Sequence, residues 1–330
     1  MTMCAYLDVV RNLGDLKQRI SQWERGDASS RGIALEKAER LEILFAVTQW
    51  PTAQLTAEAN VVKNGVEPVR AALEAENLDA AKQAATQVGD HDLTHAFYDW
   101  LEPVRGLSTP GARLVGYLDV VRNLGDLKER VARWGAGDGD SRGIAVEKAD
   151  RLGILFTSID WPTPRATAEA TALKAAVEAV RVALEADDLE TTRTLAAQAS
   201  DHDLTHAMYD DWIGGSGRTA GTELTAAVYL DLVRNIGDLR DRIGQWERGD
   251  ASSRGIALEK AERLERLFAF LQWPGPVAGT ATGLAMTIPP VRVALEAEDL
   301  DAALVAVAAV SDHDLTHAFY DWMRGSSDWQ

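Results

Sequence analysis

One segment constrains this chain above all others. Asp-His-Asp-Leu-Thr-His-Ala occurs three times, at residues 90–96, 201–207 and 312–318, at a spacing of 111 residues. Longer stretches repeat around it: YLDVVRNLGDLK stands at 6–17 and again at 117–128, and residues 22–42 recur unchanged at 245–265. A period this long exceeds that of solenoid repeats, so each copy has enough chain for a core of its own. The expected organisation is three tandem repeats at 1–104, 113–213 and 224–330. The segments between them, EPVRGLSTPGAR and IGGSGRTAGTEL, have the Gly, Ser, Thr and Pro content of linkers.

The periodicity within each copy is helical. In the first, Val9, Leu13, Leu16, Ile20 and Trp23 recur at helical intervals, and Gly26 is placed to end that helix. Ala34, Ala38, Leu41 and Phe45 mark one face of a second helix, which should stop at Trp50-Pro51. A third segment follows, with a break expected near Gly65 and Pro68. Asn77 (Asp188 and Asp299 in the other copies) is the expected N-cap of the next helix, and Asp90 that of the last. No segment alternates as a strand would, so the expected class is all-α, each copy a compact bundle of four to six helices. The first two helices and the last are nearly unchanged among copies, whereas the third segment has drifted. The second copy also carries an extra acid, Asp210-Asp211, before Trp212.

Charge narrows the function. The net charge of -17 argues against nucleic acid and against anionic membrane surfaces. The single cysteine, Cys4, excludes a thiolate metal cluster and an intrachain disulfide. No apolar run approaches the length of a membrane span and no signal peptide is visible, so the expectation is a soluble, cytoplasmic protein.

All six histidines lie in the repeated segment: His91 and His95, His202 and His206, His313 and His317. An i, i+4 spacing puts both imidazoles on one helix face, close enough to chelate one ion. Leu93, Ala96, Phe97 and Trp100 form the apolar stripe of that helix. His91, His95 and Tyr98 lie nearly opposite, facing solvent, a cleft or a neighbouring copy. HDLTH is one residue type away from the zinc-protease pattern HExxH, but its aspartate is a methylene shorter and no further histidine remains as third ligand. A carboxylate must take that place.

The first helix offers the leading candidates. Asp8 and Asp15, with Asp119 and Asp126, and Asp231 and Asp238, stand on a stripe beside the apolar one. They would complete a set of two histidines and one carboxylate for Zn, Fe, Ni or Cu. Against this, Asp15–Arg19 and Asp8–Arg11 have the spacings of ordinary helical ion pairs. Gly14 (Gly125, Gly237) costs the same helix about 1 kcal/mol relative to alanine, which suggests a close helix crossing or a local kink beside the stripe. On the second helix Glu36 (Glu147, Glu259) is a further candidate, with a bridge to Arg40 at i+4 as the stronger reading. The recurring tryptophans Trp23, Trp50 and Trp100 read as core anchors, and Tyr98, Tyr209 and Tyr320 as the residues that would line a ligand pocket. Three functions fit these residues: a metal-binding protein for storage, buffering or metal-dependent chemistry; a metal-free helical interaction scaffold; or a small-molecule binder or enzyme that uses the copies as an internal pseudo-trimer, with sites between repeats.

Overall fold

The first helix, α1 (Thr2–Glu24), buries Val9, Leu13, Leu16 and Ile20 and ends where Gly26 takes a φ of +100°, a left-handed turn that glycine adopts without strain. The computed structural model describes residues 1–215, 218–219 and 221–326. Residues 216, 217 and 220, within the segment read as the second linker, lie outside the described residues, as do 327–330. The regular elements among the described residues are helices, apart from two-residue strands at Arg218–Thr219 and Leu271–Gln272, which pair in parallel, and an isolated bridge between Leu107 and Ile159. No described helix is long and apolar enough to cross a membrane.

The chain divides into two compact units, Met1–Val104 with Tyr320–Gln330, and Arg105–Phe319. The first unit joins residues of the first copy to the end of the third, and the second unit holds the second copy with most of the third. In the first unit α1 packs on α2 (Ser29–Val47), α2 on α3 (Ala53–Glu74), and α3 on α4 (Leu78–Gln87), which returns to α1; α5 (His91–Leu101) lies on α3. Ala34, Ala38, Leu41 and Phe45 are buried in this ring, as expected. The backbone N–H two residues into α4 is capped by the Asn77 side chain at 3.0 Å, and Asp188 and Asp299 cap the corresponding helices at the same distance.

The second unit contains two such rings. One comprises α6 (Pro110–Gly135), α7 (Asp140–Ser158), α8 (Pro164–Glu185) and α9 (Leu189–Gln198), with the short α10 (His202–His206) on α8. The other comprises α11 (Thr222–Glu247), α12 (Ser252–Phe270), α13 (Gly275–Ala285), α14 (Ile288–Glu296) and α15 (Leu300–Ala308). The rings meet along α6 and α11. The last helix, α16 (His313–Gly325), belongs to the second unit through Phe319 and to the first from Tyr320 onward.

Several expectations are corrected. The break expected near Gly65 and Pro68 is absent: α3 runs unbroken through Pro68. An interior proline costs about 3 kcal/mol. The buried face of Leu55, Ala59, Val62, Val66, Val69 and Leu73 continues in phase on both sides of it, and each large aliphatic side chain contributes about 1.5–3 kcal/mol. The break falls instead in the third copy, between α13 and α14, where Pro289 and Pro290 remove two successive donors. Gly14, Gly125 and Gly237 mark no helix crossing: all three are exposed, and a Cβ there would meet nothing within 4 Å. The close approach is at Gly111 in α6, where a Cβ would lie 2.7 Å from the Glu223 carbonyl carbon and 2.8 Å from the Leu224 nitrogen. Among the described residues the tryptophans are half-buried except Trp212, which is buried. The aromatic core is tyrosine and phenylalanine: Tyr6 stacks on Phe97 at 3.8 Å, and Tyr229 on Phe319 at 3.9 Å.

The extra acid of the second copy has a direct structural consequence. After α10 the chain becomes a π-helix over Ala207–Trp212. One additional residue in a helix is absorbed as a wider turn, so that the residues on either side keep their phase.

Candidate metal centre

The last helix of each copy is held by a residue that sequence patterning passes over. Thr94, Thr205 and Thr316 are buried, and each meets a buried tyrosine from the first helix of its copy: Tyr6 at 3.1 Å, Tyr117 at 2.8 Å and Tyr229 at 3.2 Å. The same hydroxyls donate to Asp90, Asp201 and Asp312 at 3.3–3.4 Å. Asp90 therefore sits at the N-cap position but bonds Thr94 rather than a backbone N–H through its side chain. The recurrence of both tyrosine and threonine in every copy is the signal that points to this pair.

Packing thus accounts for Leu204, Thr205 and Ala207, all buried, but not for the histidines. His202 is exposed and His206 half-exposed, their ring centroids 4.6 Å apart at 74°. His91 with His95, and His313 with His317, are exposed pairs at 4.5 Å. In the second unit a carboxylate joins the pair. His202, His206 and Glu259 of α12 each bring one ligand atom within 4.8 Å of the others. Ligands sharing an ion at about 2.1 Å lie at most about 4.2 Å apart, so the trio stands within a small side-chain rotation of a chelate. His206 and Glu259 also line a cavity of about 30 Å³ with Tyr209, Asp210, Arg263 and Arg266. That volume suits an ion or a water and is too small for an organic substrate.

Both ligand types have supports. His206 Nδ1 lies 3.1 Å from Asp210 Oδ2, and Arg266 donates to the other oxygen of Asp210. Partial burial raises the Asp210 pKa, but the bonds from Arg266 and His206 outweigh it and leave the carboxyl below its ordinary value. Glu259 accepts from Arg263 at 3.0 Å through Oε2, which leaves Oε1 for an ion. The i, i+4 bridge expected for Glu36 and its counterparts is present in all three: Arg40–Glu36 at 3.1 Å, Arg151–Glu147 at 3.2 Å and Arg263–Glu259 at 3.0 Å.

The first-helix aspartates are placed elsewhere. Asp231 is fully buried and accepts from Tyr209, from Asn235 at 2.8 Å and from Arg234 at 3.2 Å. Asp8 is buried likewise, with Arg11 at 2.7 Å, Asn12 at 2.9 Å and Tyr320 at 2.7 Å. Asp119 is buried with Arg122 at 2.8 Å and Asn123 at 2.9 Å. Asp15, Asp126 and Asp238 do not pair at i+4 but receive Lys37, Lys148 and Lys260 from the second helix at 2.6–2.7 Å. Burial pushes these lysines below their ordinary pKa, with the aspartate charge opposing. None of the six aspartates belongs to the trio formed around His202 and His206.

The tyrosines expected to line a pocket are inside: Tyr98, Tyr209 and Tyr320 are all buried. The wheel places them opposite the apolar stripe, and that second face is covered as well. Tyr209 donates to Asp231 and Tyr320 to Asp8, with the guanidinium of Arg263 5.4 Å from the first ring and that of Arg40 5.7 Å from the second. Burial first, then the Asp231 charge, pushes the Tyr209 hydroxyl well above the usual phenol range, so it stays a donor.

No protein-family model, no curated protein and no solved structure matches this chain.

Proposed function

We propose that this protein is a metal-binding chain built from three copies of one helical unit, and that His202, His206 and Glu259 bind a divalent transition metal. The observation that carries this reading is two accessible imidazoles converging with a carboxylate beside an ion-sized cavity. Acceptors that face acceptors are stabilised by a cation between them. Two nitrogens and one oxygen suit Zn, Fe, Ni or Cu rather than Mg or Ca, which prefer oxygen alone. Such a set leaves coordination positions for water or a small ligand, the arrangement of catalytic rather than closed structural sites. The overall charge of -17 favours cation uptake.

The test is metal content of protein purified without an affinity tag, followed by titration with Zn(II) and Co(II). The double variant His202→Ala, His206→Ala is expected to lose one equivalent per chain, and Glu259→Gln to weaken binding of that equivalent. Protein that is purified metal-free and takes up neither Zn(II) nor Co(II), nor Fe(II), Ni(II) or Cu(II) titrated in the same way, refutes the reading. A second reading, a metal-free scaffold, draws on the Arg263–Glu259 and Arg266–Asp210 pairs, which by themselves join α12 to the α10 region. It predicts that the double histidine variant leaves metal content unchanged.

A further inference from the structure

His206 has two ring nitrogens, and only one can serve an ion. Nδ1 faces Asp210 Oδ2 at 3.1 Å. The other oxygen of Asp210 accepts from Arg266 Nη1, so both carboxylate oxygens are engaged and the plane of the group is set. We infer that Asp210 is a positioning residue: it holds the metal-free His206 with its proton on Nδ1, which leaves Nε2 as the free lone pair, and Arg266 holds Asp210 in that pose. The inference rests on the metal reading only for what Nε2 would meet; the tautomer is a property of the protein without an ion.

Two features of the chain point to this assembly independently of the distances. An aspartate stands four residues after the second histidine in every copy, as Asp99, Asp210 and Asp321, but the clamping arginine does not recur: the counterparts of Arg266 are Ile43 and Ile154. The inserted acid is also kept apart from the histidine. Asp211 pairs with Arg165 at 3.4 Å, so each of the two adjacent aspartates has an arginine of its own. The π-turn over Ala207–Trp212 accommodates this arrangement. Carboxylates that accept the second ring N–H of a ligating histidine fix its tautomer and raise its basicity. Their loss weakens metal binding about 10–100-fold.

The test begins with metal-free, isotopically labelled full-length protein near pH 8.5, where an ordinary imidazole is neutral. The long-range nitrogen–proton spectrum reports the tautomer of each histidine, and His206 is assigned by loss of its signal in His206→Ala. The expected result is an Nδ1–H tautomer for His206. It should convert towards Nε2–H in Asp210→Asn, convert partly in Arg266→Ile, and stay unchanged in Asp211→Asn. An Nε2–H tautomer in the parent protein, or an Asp210→Asn spectrum identical to the parent's, overturns the inference. Co(II) titration then reads the consequence: a loss of about 10–100-fold in affinity for Asp210→Asn, a smaller loss for Arg266→Ile and none for Asp211→Asn. Equal affinity of Asp210→Asn and parent also overturns it. Should the parent bind no metal, the metal centre falls and the tautomer alone decides the positioning role. Should Asp210→Asn fail to fold, Arg266→Ile carries the same two readouts.

Discussion

Asp231 and Glu259 are acids on neighbouring helices of the second unit, each at a position that recurs in every copy, and their surroundings are opposite. Asp231 is fully buried and surrounded by donors: the Tyr209 hydroxyl, the Asn235 amide and the Arg234 guanidinium. Glu259 is half-exposed, meets Arg263 with one oxygen, and shares its remaining surroundings with two imidazoles. A carboxylate whose lone pairs are filled by protein donors has no capacity for an ion and serves the fold. Glu259, with one oxygen on Arg263, brings its carboxylate within reach of two imidazoles. Recurrence in sequence marks both equally, so the balance of donors and acceptors is what separates them.

The sharpest way to break this comparison is to remove one acid from each class. Asp231→Ala leaves Arg234 and Tyr209 without their buried partner and is expected to cost about 3–5 kcal/mol. Glu259→Gln removes the half-exposed acid, whose protein partner is the partly exposed Arg263, and should change metal-free stability by less than about 1 kcal/mol. Urea denaturation of the three proteins measures both, and similar losses would erase the distinction drawn between the two acids.

A pair of glycines tests the packing that brings α6 and α11 together. Gly111→Ala forces a Cβ against the Glu223 and Leu224 backbone and should destabilise by about 1–3 kcal/mol. Gly125→Ala, on the same helix with open space around it, should instead stabilise by about 1 kcal/mol. Melting temperatures that move in the same direction would contradict this account of α6.

The smallest effect is in the pH dependence. Hydrogen bonds from Ser29 and Ser30 lower the Asp27 pKa, and bonds from Ser252 and Ser253 lower that of Asp250. A carboxyl whose folded pKa lies below its unfolded value adds stability above the unfolded value. That stability is lost as pH falls through the folded one. Stability should therefore decline below about pH 4. Ser30→Ala combined with Ser253→Ala should flatten that decline; curves parallel to the parent's would remove these aspartates from the acid limb.

What was legible in the sequence lies within about one helical turn. The caps at Asn77, Asp188 and Asp299, the stop at Gly26, the Glu–Arg pairs at i, i+4 and the paired imidazoles of each last helix all follow from spacing, because helix geometry relates residues three and four apart by rule. Four features were not legible. Spacing places Tyr209 opposite the apolar stripe but does not reveal that α11 offers Asp231 and Asn235 to its hydroxyl. It shows that Gly14 costs helix stability but not that open space lies beside it. It shows Trp23 in the apolar period of α1, where the side chain turns out half-buried. The threonine of the repeated segment is visible in the sequence, but its partner tyrosine is about 88 residues away and no local period connects them.

By itself, then, the sequence determined the helical class, the caps at Asn77, Asp188 and Asp299, the stop at Gly26, and the confinement of every histidine to one recurring face, since each depends on local backbone geometry and side-chain period. The tertiary structure decided which carboxylate meets the histidines. Asp231 and Glu259 carry the same charge, but the packing of α11 turns Asp231 into a buried set of donors while α12 holds Glu259 beside α10. The physical reason is that helix packing depends on side chains far apart in the chain, and only that packing decides whether a carboxylate is surrounded by protein donors or set beside imidazoles.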